Sequence, residues 1–93
     1  MKGRSYVVLG FMVDELNLKG LERDIYAIIY GVCQDGTSYT GSLQDLADWT
    51  LTTKQGVLKA LKKLEIKGLI VRKEKYINKV KFVEYSINES VRG

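Results

Sequence analysis

Thr53, Lys54, Gln55 and Lys59 place a hydroxyl, an amide and two ammonium groups within one short stretch, and Lys63 follows one helical turn later. Further on, Arg72, Lys73, Lys75, Lys79 and Lys81 add five cations in quick succession. These are groups for holding a ligand rather than for breaking bonds. A glutamine amide can make two parallel hydrogen bonds to an adenine edge. A lysine can reach guanine or a phosphate, and a threonine can serve a phosphate or a thymine methyl. Cations spread along a surface neutralise backbone phosphates without regard to sequence.

The chemistry of catalysis is poorly represented. There is no histidine, which removes imidazole acid–base work and histidine metal ligation. Cys33 is the only cysteine, so an intrachain disulfide and a cysteine-rich zinc site are both impossible. With no histidine beside it, Cys33 reads as a small apolar residue rather than a nucleophile. Asp45 and Asp48 fall on one helical face, yet a helix-capping role explains them better than paired catalytic carboxylates. The stretch from Gly31 to Ser38 has the glycine spacing of a phosphate loop. It lacks the lysine after the second glycine and follows a helix rather than a strand. We therefore expect no enzyme, no cofactor and no metal.

Charge is distributed unevenly. The chain of 93 residues carries a net +4. Residues 1–52 have four basic and seven acidic groups, net −3, and residues 53–93 have eleven basic and four acidic groups, net +7. That polarity suggests that the C-terminal half meets a polyanion. Taken alone, Lys54, Lys59, Lys62 and Lys63 could equally be a solvated helix face. With 45% apolar and 28% charged residues the composition is that of a globular chain, read as a single domain over residues 1–93. No apolar run reaches membrane-spanning length, and the short run after Met1-Lys2-Gly3-Arg4 has no small-residue cleavage site, so the expected setting is the cytoplasm.

The elements that must position these groups can be read from periodicity. Tyr6 to Val13 is rich in β-branched and aromatic residues and predicts a short strand or extended arm. Leu21, Ile25, Ile28, Ile29 and Val32 form the stripe of an amphipathic helix over about Leu21 to Cys33. Ser42 to Asp45 fits a capping box that starts a second, short helix. Thr53 can cap a third helix, over about 53–67, with Val57, Leu61 and Leu64 on its apolar face and Gly68 as its stop. Trp49 is expected in or beside the core. Two strands over about 70–87, turning at Asn78-Lys79, predict a β-hairpin. In it, Tyr76 and Phe82 could stack on bases, with cross-strand packing the first expectation. Residues 89–93 read as a loose tail.

This order resembles a winged helix-turn-helix. The stretch Gly41 to Asn88, GSLQDLADWTLTTKQGVLKALKKLEIKGLIVRKEKYINKVKFVEYSIN, is similar to the winged-helix domains of phage and mobile-element replication initiators of the replisome-organiser and DnaD-like type. Gly10 to Gly36 fits the first strand and helix of the same domains, so the likeness covers nearly the whole chain. The segment from Leu46 to Ile70 also looks like transcriptional regulators of the MarR and GntR types. The chain departs from the pattern in three ways. Leu51 stands where such turns often carry glycine, Gly56 occupies the first turn of the third helix, and that helix has no arginine. These departures bear on base specificity rather than on the fold.

The resemblance implies an α+β winged helix-turn-helix of three helices, with a short N-terminal strand and a C-terminal hairpin wing. It implies a double-stranded DNA-binding module whose third helix enters the major groove while the wing contacts adjacent phosphates, acting in replication initiation. Replisome or helicase-loading proteins would be its partners. Transcriptional regulation with the same fold is the close alternative. In a further alternative the chain is a protein-interaction module, with Tyr6 to Val13 as a homodimerisation arm.

Overall fold

A computed structural model describes residues 6–88. The expected tail at 89–93 lies outside them. The chain forms helices α1 (Gly10–Asp14), α2 (Gly20–Val32), α3 (Leu43–Thr50) and α4 (Lys54–Ile66), then strands β1 (Ile70–Ile77) and β2 (Val80–Ile87). A single 3-10 turn at Cys33–Asp35 follows α2. This is a small α+β fold of four helices and one antiparallel hairpin.

The fourth helix is the difference from expectation. Of the short strand or extended arm expected over Tyr6 to Val13, Tyr6–Leu9 has no regular structure, as an arm would, and Gly10–Asp14 is helical. Packing gives the reason. Phe11 packs on the core and its neighbour Met12 is fully buried. A strand sends adjacent side chains to opposite faces, whereas adjacent residues in a helical turn can share one. The Phe11 ring lies 5.4 Å from Tyr30 and 6.5 Å from Tyr26, edge-on to the latter.

α2 is the central element. Its residues from Ile25 to Tyr30 are all buried, so α1, α3, α4 and β2 surround it on more than the one predicted stripe. α4 presents Val57, Ala60, Leu61 and Leu64 to the same core.

The helix ends follow the predicted chemistry closely. Ser42 accepts from the Asp45 N–H at 3.0 Å, and the Asp45 carboxylate accepts from the Ser42 N–H at 3.2 Å. Thr53 caps α4 through the Gly56 N–H at 3.1 Å. At the other end, the Gly68 N–H donates to Glu65 and the Leu69 N–H to Leu64, with Gly68 at φ +75°. This is a Schellman closure, and buried Leu69 and Leu64 supply its apolar contact. Asn78 (φ 51°) and Lys79 (φ 66°) make the two-residue turn left-handed at both positions, as a type I′ hairpin requires.

Tyr39 joins the hairpin to α3. Its N–H and carbonyl exchange hydrogen bonds with Tyr85 at 2.7 and 2.9 Å, and its hydroxyl donates to the Ser42 carbonyl at 3.2 Å. The ring crosses directly over Gly41, where a Cβ would overlap the Tyr39 hydroxyl and lie 2.7 Å from Cζ. Gly41→Ala must therefore displace a buried ring. We expect it to lower stability by about 1–3 kcal/mol, the usual range for overpacking. Thermal unfolding followed by circular dichroism tests this, and an unchanged midpoint would mean that the ring moves aside freely.

Candidate nucleic-acid interface

α3 and α4 are joined by three residues, Leu51, Thr52 and Thr53. Leu51 takes the left-handed conformation (φ 56°) that glycine would adopt more easily, and its side chain is 72% exposed. The turn is thus made without the glycine expected at such a position. Gly56 also has a local reason. A Cβ there would come within 3.2 Å of the Thr52 hydroxyl and 3.3 Å of the Thr53 hydroxyl. The capped turn is packed tightly enough to favour a residue without a side chain.

With Val57, Ala60, Leu61 and Leu64 turned inward, helical geometry fixes the opposite face of α4. Gln55, Lys59, Lys62 and Ile66 run along it at spacings of four, three and four residues, and all four are exposed. Lys54 lies exposed at the start of the helix beside Thr53. Lys54, Lys59 and Lys62 make no ion pair among the described residues. Lys62 was seen in the sequence only as part of the basic helix face. The structure puts it in the centre of the outward stripe.

Lys63 is also exposed but lies on another side of the helix. It sits on the flank of α4 that faces α2, 3.9 Å from Glu22, which also takes Lys67 at 2.7 Å. A residue one position from Lys62 is turned about 100° away from it, which sets Lys63 near Glu22 while its side chain stays 65% exposed.

The hairpin cations divide in the same manner. Register places Ile70, Arg72, Glu74 and Tyr76 on one face with Ile87, Tyr85, Val83 and Lys81. The other face carries Val71, Lys73, Lys75 and Ile77 with Ser86, Glu84, Phe82 and Val80. On the first face Glu74 takes both Arg72 and Lys81, the latter at 3.4 Å. The Arg72 guanidinium, and after it the Lys81 ammonium, hold the Glu74 carboxyl below the usual carboxylate range. On the second face Glu84 takes Lys75 at 2.7 Å. Lys73 and Lys79 make no ion pair among the described residues, and Lys79 stands at the tip. A groove of about 640 Å³ separates α4 from the hairpin, with Leu58, Lys62, Arg72 and Lys81 on its walls. Thr53, Lys54, Gln55 and Lys59 are thus brought together on one helix, and the hairpin stands across this groove from it.

The groups set aside from catalysis occupy structural places. Asp45 completes the capping box, and Asp48 accepts from Gln44 at 2.8 Å. Cys33 packs against the core, and burial pushes its thiol up, away from the reactive thiolate. Trp49 also packs on the core, at the rim of an apolar groove shared with Tyr6, Leu9 and Ile28. Among the described residues no helix is long and apolar enough to cross a membrane.

No family model matches the chain, and no curated protein matches it. Among solved structures it is similar to Stf76 from the Sulfolobus islandicus plasmid-virus pSSVx. The TM-score is 0.51 and the identity 22%, over 77% of this chain and 84% of that one. At this identity the likeness is one of fold, a small α+β arrangement shared in outline with a plasmid-virus protein.

Proposed function

We propose that the chain is a winged helix that binds double-stranded DNA, with α4 as the recognition helix and the hairpin as the wing. The observation that carries this reading is the outward stripe of α4. Gln55, Lys59 and Lys62 are exposed together and free of ion pairs among the described residues, while Lys63 and Lys67 are engaged with Glu22. An α-helix fits the major groove, and its N-terminal residues reach base edges. Gln55, in the first turn, is the candidate reader, and Thr53, Lys54, Lys59 and Lys62 supply phosphate contacts. Lys73 and Lys79 contact phosphates from the wing. Replication initiation or transcriptional control on a phage or other mobile element is the setting we favour, which accords with a fold shared with a plasmid-virus protein.

Fluorescence anisotropy with a labelled duplex of about 20 base pairs tests the reading. Affinity should fall as salt rises, with a log–log slope near −0.9 for each phosphate neutralised. Gln55→Ala should flatten any preference among duplex sequences by about 1–3 kcal/mol at one base position. No binding at low salt would sink the DNA reading and favour a protein partner with an acidic surface.

The wing carries its own brake. Glu74 and Glu84 neutralise three of its five cations. Glu74→Gln frees Arg72 and Lys81 on the face that borders the groove beside α4. We expect duplex affinity to rise by roughly threefold to tenfold at moderate salt, with a steeper salt slope. A fall in affinity instead would mean that Glu74 orients these cations for binding.

A further inference from the structure

The hairpin tip is at odds with its position. Tyr76 is 68% exposed, Phe82 48%, and Ile77 and Val80 55% each, at the end of a two-stranded projection. Elsewhere the aromatic residues cluster, as in the Phe11–Tyr26–Tyr30 trio. The two rings do not face each other across the strands. Register sets Tyr76 opposite Lys81 and Phe82 opposite Lys75, so each ring stands on a different face with a lysine across from it. From Lys75 to Val83 the chain has three lysines and no acidic residue; Lys75 pairs with Glu84 and Lys81 with Glu74, which leaves Lys79 without an ion pair among the described residues.

We propose that this tip is a second nucleic-acid site, for an unpaired DNA strand, in which Tyr76 and Phe82 stack on bases, Lys79 contacts the phosphates, and Lys75 and Lys81 join it as the phosphates displace Glu84 and Glu74. Exposed rings beside cations are the features that single-strand binding uses, because every base has a face to stack on. In an intact duplex those faces are already covered by neighbouring pairs. Rings on opposite faces of a narrow hairpin therefore gain more from unpaired bases than from a closed helix. A second copy of the chain is a poorer occupant, since it would bring the unpaired Lys79 of one tip against that of the other, with nothing acidic at the tip to offset it. The site goes beyond the duplex reading, and although Lys81 and Phe82 also border the groove beside α4, the stacking rings belong to the hairpin.

The test is anisotropy with labelled single-stranded oligo-dT of about 20 nucleotides, run beside the 20-base-pair duplex. Tyr76→Ala/Phe82→Ala should weaken oligo-dT binding about tenfold or more, and duplex binding by less than about twofold. Tyr76→Trp/Phe82→Trp should retain oligo-dT binding, with its added indole fluorescence quenched on titration. If the wild type fails to bind oligo-dT, or the double alanine variant binds it as well, the proposal is wrong. It is equally wrong if the alanine pair abolishes self-association in light scattering and leaves oligo-dT binding unchanged. Loss of duplex binding in Lys59→Glu/Lys62→Glu, with oligo-dT binding intact, would support two separate sites. A wild type that binds oligo-dT through the tip but not the duplex would sustain this site and remove the α4 reading.

Discussion

Leu61→Ala should destabilise the protein by about 2–5 kcal/mol, out of a total that for a domain of this size is about 5–15 kcal/mol. Leu61 is 0% exposed and lies on the inward face of α4 with Val57, Ala60 and Leu64. α4 packs on α2, α3 and β1, so a cavity at Leu61 weakens the element that ties the helices to the hairpin. Loss of transfer free energy adds to the cost of a void that surrounding side chains fill only in part. Urea unfolding followed by circular dichroism measures the effect. Ile66, on the same helix but 85% exposed, gives the comparison, since Ile66→Ala should stay within about 0.5 kcal/mol of the wild type. Equal losses at both positions would mean that α4 is not held by this core.

The fold was legible where local chemistry decides it. The capping box at Ser42, the cap at Thr53, the stop at Gly68 and the turn at Asn78-Lys79 each depend on a few adjacent residues, and all four form as read. The helix at Gly10–Asp14 was missed because β-branched and aromatic residues suit either a strand or a buried helical turn. What settles it is the position of Tyr26 and Tyr30 on another element, which periodicity in this segment does not contain. Likewise, α2 shows a single apolar stripe in sequence, whereas Tyr26, Ala27 and Tyr30 are buried beside it because helices pack on several of its sides.

The candidate site was legible as a composition and less so as a surface. Counting lysines finds the basic half of the chain, but their availability depends on acids that are distant in sequence or set by register. Glu22 lies far upstream of Lys63 and Lys67 and meets them only through helix packing. Glu74 and Glu84 meet Arg72, Lys81 and Lys75 only in the register that the Asn78-Lys79 turn imposes. The distinction that matters, between Lys62 facing outward and Lys63 facing α2, comes from one step of helical rotation. It follows from the apolar stripe once Leu61 and Leu64 are known to be inside.

That distinction yields the largest functional effect. Lys59→Glu/Lys62→Glu should weaken duplex binding by about a hundredfold or more near 0.1 M salt. Each neutralised phosphate contributes close to a factor of ten there, and the reversed charges add repulsion. The salt slope should shrink by about 1.8 as two contacts disappear. Stability should change little, because both side chains are exposed and make no ion pair among the described residues. Lys63→Gln separates the surface reading from a bulk-charge reading. It also removes a cation from α4, but one engaged with Glu22, so affinity should fall by less than about threefold. If Lys63→Gln and Lys59→Gln weakened binding equally, affinity would follow total charge rather than the outward face of α4. An intact affinity in the double reversal would remove α4 from the interface altogether.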